Sequence, residues 1–369
     1  MCGARAAVAQ GPTPEQLFQE AQQAQQRGDY AVAVDKYQEL LRAYPDIVAA
    51  RANLGVALVS LGRFDEAIKQ YRVALEQVPG NHDLRLNLAL AYYKGGKFPE
   101  ASELFQSLLG EDSGNTRIAT LLGNCYLHLG RDAEAISLLT PFERSDPQNL
   151  DIAWALGSAL IRTGQTEEGL KRVDRVAQDG HSAEAYMVAA QSYLKLNRMV
   201  TARERFDEAM HLDARLPGLY TVGGMIMENS GDSEGAVSAF RKALEMHPND
   251  FEAQLHLGGV LFADRQLDEA KQHVDRALAL DTTSSVARYM LARIERAQGQ
   301  TNAALAELEK VTRGNPDWLQ PHVELAALYY QLKRPEDGAR ERKIVDRLTA
   351  EEQQHKAAQG IVTPTLPSR

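Results

Sequence analysis

The sequence has few aromatic residues, few cysteines, no long apolar run and no excess of basic residues. Aromatic side chains make up 7 % of 369 residues, although 44 % are hydrophobic, which suits an Ala- and Leu-rich helical protein better than a large enzyme core. No run of 18 apolar residues occurs, so we predict no membrane span. The net charge of −9 does not favour electrostatic binding to the phosphate backbone of a nucleic acid, so we predict no nucleic-acid partner.

Sequence motifs that carry chemistry are also missing. There is no HExxH, GxSxG, GxxxxGK[ST] or CxxC pattern in the chain, so the common hydrolase, nucleotide and redox sites are not indicated. The nine histidines are scattered, and neither His128 nor His256 has a second histidine three or four residues away. We therefore predict a non-enzymatic protein without a cofactor or a metal ion.

The two cysteines and the N-terminal segment leave the cellular compartment open. Cys125 lies close to the small Gly123, where we expect it to be a compact core residue. Cys2 lies in an Ala-rich leader, residues 1–13, in which Ala7-Val8-Ala9 has the A-x-A form of a signal-peptidase site without a preceding apolar segment. The protein is exported or periplasmic if residues 1–9 end a signal peptide, and cytoplasmic if the leader is simply disordered.

What the chain does have is an internal repeat with a period close to 34 residues. One column of small residues reads Ala21, Gly55, Ala89, Gly123, Gly157, Ala190, Gly224, Gly258, Ala292 and Ala326. A second column reads Ala33, Ala67, Ala101, Ala135, Gly169, Ala202, Ala236, Ala270, Ala304 and Gly338. Both columns contain a single step of 33 residues, between the fifth and sixth units. Self-similarity at this period predicts a solenoid of ten units.

Each unit is predicted to be a helix, a short turn and a second helix. In the second unit Leu54, Leu58 and Leu61 follow helical spacing, and no run alternates with period two. Glycines recur between the two helices at Gly62, Gly96, Gly130, Gly164, Gly231 and Gly299, where we expect left-handed helix ends. Pro141 falls inside a predicted helix, where a kink or a loosened turn is expected.

The two small columns are explained if they mark where paired helices cross. Two helices approach to the close end of the usual interaxial range only when the crossing point lacks bulk. On this interpretation Ala67→Leu should cost about 1–3 kcal/mol by overpacking. The fifth and tenth units carry Gly169 and Gly338 in the second column, and we expect these two units to be looser.

Together these features resemble the tetratricopeptide repeat family. The similarity in the second unit lies in Leu54-Gly55, Leu58, Gly62, Phe64, Ala67, Tyr71, Ala74 and Pro79, and nearly the whole chain shares it. The resemblance implies an all-α, right-handed superhelical solenoid of about ten repeats, of bacterial type, with a C-terminal capping helix. One departure is that Arg51, Arg85, Ala119 and Ala153 replace the frequent aromatic residue in the opening turn of the first helix.

We expect the solenoid to span residues 14–350 and the rest of the capping helix and a disordered tail to occupy 351–369. The tail is rich in proline and poor in apolar residues. The shortened unit around Gln178–His181 marks a possible bend at 178–183. The alternative is one continuous superhelix.

In the tetratricopeptide family the first helices line the concave face, so the resemblance implies which residues face a groove. The predicted groove residues are Asn53, Asn87, Tyr93, Asn124, His128, Trp154, Arg162, Met187, Met225, Leu255, Phe262, Tyr289 and Arg293. The early amides suit the backbone of an extended peptide, and the later Met and aromatic residues suit apolar anchors. The alternative is that the amides are solvated and that the Met and Trp side chains pack between helices.

The resulting hypothesis is a non-enzymatic interaction scaffold that binds a peptide or a partner protein in its groove. A carboxylate clamp of the co-chaperone type is not expected, since Asp83 and Asn87 stand where that clamp needs other groups. The alternative function is a structural assembly subunit that uses its edges or its convex surface. The sequence leaves the partner and the oligomeric state undetermined.

Overall fold

The computed structural model describes residues 12–358 and the side chains up to 355, and this part of the chain consists of twenty α-helices without a strand. The first ten helices are α1 (Pro14–Gln26), α2 (Tyr30–Ala43), α3 (Val48–Ser60), α4 (Phe64–Gln77), α5 (His82–Lys94), α6 (Phe98–Glu111), α7 (Thr116–His128), α8 (Asp132–Ser145), α9 (Leu150–Arg162) and α10 (Thr166–Asp179). The others are α11 (Ala183–Lys195), α12 (Met199–Leu212), α13 (Leu219–Asn229), α14 (Ser233–Met246), α15 (Phe251–Ala263), α16 (Leu267–Leu280), α17 (Ser285–Ala297), α18 (Thr301–Gly314), α19 (Leu319–Gln331) and α20 (Pro335–Ala358). Residues 1–11 and 359–369, which include Cys2 and most of the predicted leader and tail, lie outside the described part.

The helices form hairpins in chain order, and each odd-numbered helix is the first helix of its hairpin. The chain divides into an N-terminal unit, Met1–His181, and a C-terminal unit, Ser182–Arg369. Within each unit a hairpin packs on the next one, since every second helix contacts the following first helix. The predicted all-α repeat solenoid is confirmed.

The boundary between the units coincides with the shortest connection between hairpins. Three residues, Gly180–Ser182, join α10 to α11, whereas four residues, Val78–Asn81, join α4 to α5. The missing residue of the fifth unit is therefore lost from the connection and not from a helix. A bend at 178–183 and the handedness of the superhelix stay predictions.

Seven of the ten first helices begin at a polar cap. The seven capping residues accept a hydrogen bond from a backbone N–H of the first turn through their side chains: Thr13, Asn81, Asn115, Asn149, Ser182, Asp250 and Ser284. For example, Asn81 Oδ1 lies 2.9 Å from the Leu84 nitrogen, which satisfies a donor that has no partner inside the helix. Pro141 lies inside α8 without ending it, because the helix continues to Ser145.

A left-handed residue lies between the two helices of each of the ten described hairpins. The predicted glycines at this place all have positive φ, as does Gly28 in the first hairpin, so the prediction is confirmed. Asn197, Arg265 and Lys333 occupy the same place with φ of 58°, 63° and 60°. A left-handed conformation costs a residue with a Cβ about 1–2 kcal/mol, so these three turns carry strain that the glycine turns lack.

The two columns of small residues lie at the helix crossings, as predicted, and all of their members are buried. A Cβ added to Gly55 would lie 2.5 Å from the ring of Tyr71, and one added to Gly123 would lie 2.7 Å from Leu139 Cδ1. Real Cβ atoms do not approach other atoms so closely, because interiors are packed without spare volume. The crossings therefore require their small residues.

The expectation that the fifth and tenth hairpins are looser is wrong. A Cβ on Gly169 would lie 2.6 Å from the carbonyl oxygen of Gly157, so the backbones of α9 and α10 leave no room for a side chain. In the tenth hairpin a Cβ on Gly338 would lie 2.9 Å from the ring of Tyr330. The glycines permit a closer approach than alanine would allow.

Several hairpins share a polar connection that we call the hairpin bridge. In it, a residue in the opening turn of the first helix binds a carbonyl six residues earlier and a side chain nineteen residues later. Arg288 Nη2 donates to the carbonyl of Thr282 at 2.8 Å, and its Nη1 donates to Glu307 at 2.7 Å. The bridge thus ties the loop before the hairpin to both of its helices.

Three further hairpins have the same bridge with different residue types. They are Arg51 with Pro45 and Gln70, Gln254 with Pro248 and His273, and His322 with Pro316 and Glu341. His322 is only 3 % exposed, so its ring nitrogens need partners, and both lie within 3.1 Å of an acceptor. The hydrogen bonds of Arg51 explain why a polar side chain replaces the frequent aromatic residue at that position.

The last helix has the polar outer face expected of a cap. α20 has 24 residues, whereas α4 has 14. The apolar positions Ile68 and Tyr71 of α4 correspond by the repeat spacing to Ala339 and Arg342 of α20, and these two are exposed. Such a face does not need a further hairpin to cover it.

Cys125 is a core residue, as predicted. It is fully buried on α7 among apolar side chains, and burial raises the pKa of its thiol to about 12. The thiol is therefore protonated at neutral pH, and we assign it a packing role.

Candidate functional site

The predicted groove residues lie on the first helices, and we call the surface that they share in each unit the first-helix face. His128 and Arg162 are exposed. The half-buried residues are Asn53, Asn87, Tyr93, Asn124, Trp154, Met187, Met225, Phe262, Tyr289 and Arg293. Half-burial leaves part of a side chain for a partner while the rest is held by its neighbours.

Leu255 is not part of an accessible face, so that prediction is wrong. The side chain is 8 % exposed and packs with Ala277 and Ala287. Met290 of the next first helix also packs against this cluster. Burial of an apolar side chain under a neighbouring hairpin is favoured at about 25 cal/mol per Å².

The two predicted methionines are held by core contacts. Met187 packs against the cluster that contains Phe206 and Leu219, and Met225 packs against the cluster that contains Phe240. These contacts favour the interpretation that the methionines pack between helices.

The N-terminal unit has a pocket of about 300 Å³ on its first-helix face, between α1 and α3. Asn53 lines this pocket together with the fully buried Tyr37 of α2. Burial raises the pKa of Tyr37, and the nearby Asn53 side chain opposes that rise. Even so, the Tyr37 hydroxyl makes no hydrogen bond of acceptable geometry to a described residue.

Further along the same face, Tyr93 and His128 form an aromatic cluster with Phe98 of α6. The His128 ring stacks on the Phe98 ring with centroids 4.0 Å apart, and the Tyr93 ring packs edge-on at 5.7 Å from Phe98. Burial raises the pKa of Tyr93, while Asn124 opposes the rise. The structure thus brings three of the predicted residues, Tyr93, Asn124 and His128, to one place.

Arg162 and Trp154 lie on α9, the last first helix of the N-terminal unit. Arg162 is paired with Asp132 of the preceding hairpin, with 3.1 Å between Nη2 and Oδ1. Such a partly exposed pair contributes little to stability. Trp154 keeps part of its indole accessible.

The C-terminal unit gathers Phe262, Tyr289 and Arg293 into one cluster on its first-helix face. The Arg293 guanidinium lies 4.9 Å from the Phe262 ring centroid and 5.8 Å from that of Tyr289. A cation over an aromatic face contributes about 0.5–1 kcal/mol at an exposed site. The sequence predicted all three residues but not their mutual contact.

Glu324 of α19 extends this cluster. The Tyr289 hydroxyl donates to Glu324 Oε1 at 2.8 Å, and the Arg293 and Arg296 guanidinium groups lie 3.7 and 3.6 Å from its carboxylate. Burial, with the adjacent Glu324 carboxylate, raises the pKa of Tyr289 to about 12. The Trp318 ring packs against Tyr289 with centroids 4.9 Å apart. The site is therefore a group of three aromatic rings, Phe262, Tyr289 and Trp318, and two arginines around one carboxylate.

His256 of α15 is a second charged feature that the sequence did not reveal. Its Nδ1 lies 2.8 Å from Glu228 Oε2, and its Nε2 lies 3.7 Å from Glu252. Burial lowers the pKa of His256, but the hydrogen bond and charge of Glu228 outweigh burial, and the net pKa is raised. Glu228 comes from the neighbouring hairpin, so the local sequence gives no signal for it, whereas Glu252 lies one turn earlier on the same helix.

Two larger hollows of the C-terminal unit lie beside second helices. One of about 920 Å³ is lined by Phe206, Met210 and Val237, along α12 and α14. The other, of about 770 Å³, is lined by Leu244 and Leu280, along α14 and α16. None of the predicted groove residues lines either hollow.

Sequence reasoning missed Tyr37, Phe98, Trp318 and Glu324, although each completes a predicted group. Trp318 is one of only two tryptophans in the chain, and that rarity was a usable signal. Tyr37 and Phe98 belong to second helices, which a search by first-helix position alone does not reach. Glu324 lies on a first helix, but nothing in its local sequence indicated its contacts with Tyr289 and Arg293.

The described residues contain no cluster of three or more His, Cys, Asp or Glu side chains that could hold a metal ion. Within the same range, none of the helices combines the length and the apolar content that a membrane crossing needs.

The matching family models are described as tetratricopeptide repeat. One matches residues 18–82 and 154–217, and another matches 62–112, 96–145 and 229–294. Together these matches cover well over half of the chain and lie in both units.

Individual relatives agree with this assignment. The chain is 24 % identical over 168 residues to anaphase-promoting complex subunit 3 of Schizosaccharomyces pombe (strain 972 / ATCC 24843), a match that covers 45 % of the chain and only 25 % of that relative. The fold is similar to the APC/C hetero-tetramer Cut9-Hcn1, with a TM-score of 0.58, 15 % identity, and coverage of 92 % and 88 % of the two chains. A tetratricopeptide repeat protein from Parabacteroides merdae ATCC 43184 gives a TM-score of 0.52 at 15 % identity, covering 67 % and 98 %. The chain belongs to the tetratricopeptide repeat family.

Proposed function

We propose that this protein is a non-enzymatic scaffold whose first-helix faces bind segments of partner proteins. Proteins of the tetratricopeptide family are generally non-catalytic scaffolds. The relative from Schizosaccharomyces pombe carries the name of a subunit of a multiprotein complex. Both observations support an interaction role.

One observation carries the proposal. On the first-helix face of each unit, accessible side chains that could bind a partner are held in place by contacts with neighbouring residues. The Phe98 ring holds His128, and the Glu324 carboxylate holds Tyr289 and Arg293. A side chain that is already fixed loses less conformational entropy when a partner binds. Tyr, Trp and Arg are also the residue types that most often carry binding energy at interfaces.

The two faces suit different segments of a partner. The N-terminal unit offers the amides Asn53, Asn87 and Asn124, which pair with the N–H and C=O groups of an extended backbone. The C-terminal unit offers the Phe262, Tyr289 and Arg293 cluster, which suits apolar or aromatic anchors.

An affinity capture from native extract tests this proposal. The intact protein is compared with a Trp154→Ala/Phe262→Ala variant and with a control variant, Tyr44→Ala/Val200→Ala. Tyr44 and Val200 are 43 % and 75 % exposed and lie outside the first helices. Circular dichroism checks that every variant stays helical. We expect a partner to be lost from the first variant and retained by the control.

A second candidate function, a structural assembly subunit, is favoured by the two hollows beside the second helices. Apolar side chains lie among charged ones in each hollow, Met210 and Val237 in one and Leu244 and Leu280 in the other, and such mixed surfaces occur at protein interfaces. If the captured partners persist in the Trp154→Ala/Phe262→Ala variant and are lost from Met210→Glu or Leu280→Glu, the second-helix side is the interaction surface. That result would replace the first proposal.

A further inference from the structure

The pocket between α1 and α3 has an unusual lining, because all of its eight lining residues are uncharged. They are Gln22, Gln25, Gln26, Tyr30, Tyr37, Asn53, Val56 and Ser60. The first three lie on α1, and the last three lie on α3. An ionic group placed among them would lose water without gaining an opposite charge. The lining therefore favours a neutral, polar ligand.

Two buried polar atoms in this pocket have no hydrogen-bond partner among the described residues. They are the hydroxyl oxygen of Tyr37, a residue that is 0 % exposed, and Oε1 of Gln25. A buried polar group without a partner costs about 1–3 kcal/mol. Each of these atoms would therefore gain from a ligand that supplies the missing partner.

The hydrogen-bonding types of these two atoms limit further which chemical groups could bind. The Tyr37 hydroxyl can donate one hydrogen bond, whereas the Gln25 oxygen can only accept. A carboxylate cannot donate, and an ammonium group cannot accept. A trans peptide unit carries its N–H and C=O in opposite directions, but a primary carboxamide carries both groups on one edge. It can also pair with the Gln25 amide in either orientation of that amide.

We propose that this pocket is a subsite for a primary carboxamide, the side chain of Asn or Gln in a bound protein segment. The proposal rests on the proposed function, because it names one side chain of the segment that the N-terminal face would bind. Asn53 at the edge of the pocket offers a further amide to the same ligand or to the adjacent backbone.

A titration with small model compounds tests the subsite without any partner protein. The probe is N-acetylglutamine N-methylamide, and the comparison compounds are the corresponding glutamate and norleucine derivatives. Methyl NMR of the intact protein follows Val56, which lines the pocket and whose signals are identified by their loss in Val56→Ala. We expect a saturable shift of the Val56 methyl groups with the glutamine compound, and at least tenfold weaker binding of the other two.

Two conservative variants test the assigned atoms. Tyr37→Phe removes only the hydroxyl, and Gln25→Met keeps the length of the side chain. Each should weaken binding of the glutamine compound about three- to tenfold, which is the change in affinity expected for the loss of one hydrogen bond. The matched controls are Tyr71→Phe, the corresponding position of the next hairpin, and Gln23→Met, on α1 but outside the pocket lining. The controls should bind as the unaltered protein does.

The outcomes separate this proposal from the proposed function. No shift at Val56, equal binding of the glutamate or norleucine compound, or unchanged binding in both Tyr37→Phe and Gln25→Met would overturn the subsite. Because the titration needs no partner, the subsite survives if only the affinity capture fails. If the capture depends on Trp154 and Phe262 but the titration fails, the face binds a partner segment and the pocket between α1 and α3 does not bind a carboxamide.

Discussion

Two adjacent glycines in the middle of α15 should respond in opposite directions to replacement by alanine. A Cβ on Gly258 would lie 2.6 Å from Val274 Cγ2 and 3.2 Å from the carbonyl oxygen of Ala270. A Cβ on Gly259 would meet only the terminal methyl group of Met290, at 3.7 Å, which is an ordinary contact. The two positions lie in the same helix at almost the same distance from its ends, so the change in helix propensity from glycine to alanine is the same at both.

The magnitudes follow from two opposing effects. Replacing a mid-helix glycine by alanine stabilises a helix by about 0.5–1 kcal/mol, and Gly259→Ala should show this gain. At Gly258 overpacking costs about 1–3 kcal/mol, since Val274 is fully buried and cannot move away. Gly258→Ala should therefore lower the free energy of unfolding by about 0.5–2 kcal/mol.

Urea unfolding in a Trp154→Phe background measures both effects. The chain has two tryptophans, so the remaining Trp318 then reports on the C-terminal unit alone, and far-UV circular dichroism follows the helices. In a further Val274→Ala background the penalty at Gly258 should fall by more than half, because the clashing methyl group is gone. If Gly258→Ala and Gly259→Ala stabilise the protein equally, the close-crossing explanation is wrong.

Three other substitutions have definite expected effects. Lys333→Gly should raise the free energy of unfolding by about 0.5–1 kcal/mol in urea, since glycine relieves the left-handed strain; a loss would contradict this. Arg288→Met should lower it by about 0.5–1.5 kcal/mol, because the Thr282 carbonyl loses its side-chain donor and the partly buried Glu307 keeps only Lys310 among the described residues; no measurable loss would show that the bridge is unimportant. The raised pKa of His256 means that its pairing with Glu228 stabilises the fold fully below the unfolded pKa near 6.5 and less as pH rises through the native pKa. Melting temperatures of His256→Gln and the unaltered protein should therefore differ most at acidic pH and converge at alkaline pH; a constant difference would exclude this linkage.

The fold was predictable because its main constraint is visible in the sequence. A close helix crossing tolerates only Gly or Ala, so the residue type itself reports the geometry, as at Gly55 and Ala67. The left-handed turns were predictable for the same reason wherever glycine occupies them. Arg265 and Lys333 adopt the same conformation without glycine, because packing of the hairpin outweighs the local strain.

The hairpin bridges were not predictable from residue type. Arg, Gln and His perform the same task in different hairpins, and what they share is reach and a donor group. The site was predictable only in part, because position within a repeat does not determine burial. Leu255 and Tyr289 occupy the same repeat position, but Met290 and its neighbours cover Leu255, whereas Tyr289 stays half-buried.

Each hairpin bridge has a consequence for how such a chain can grow or be cut. Its three anchor points, the connecting loop, the opening turn of the first helix and the second helix, follow one another within fewer than 34 residues. A block that starts in the connecting loop therefore carries a complete bridge and can be duplicated, deleted or transplanted with its hydrogen bonds intact. A block that starts between the two ends of a bridge, for example between Arg288 and Glu307, separates the donor from its acceptor. Duplication of the coding sequence, in evolution or in the laboratory, is thus favoured in frames that begin after the second-helix partner of one bridge and before the loop carbonyl of the next.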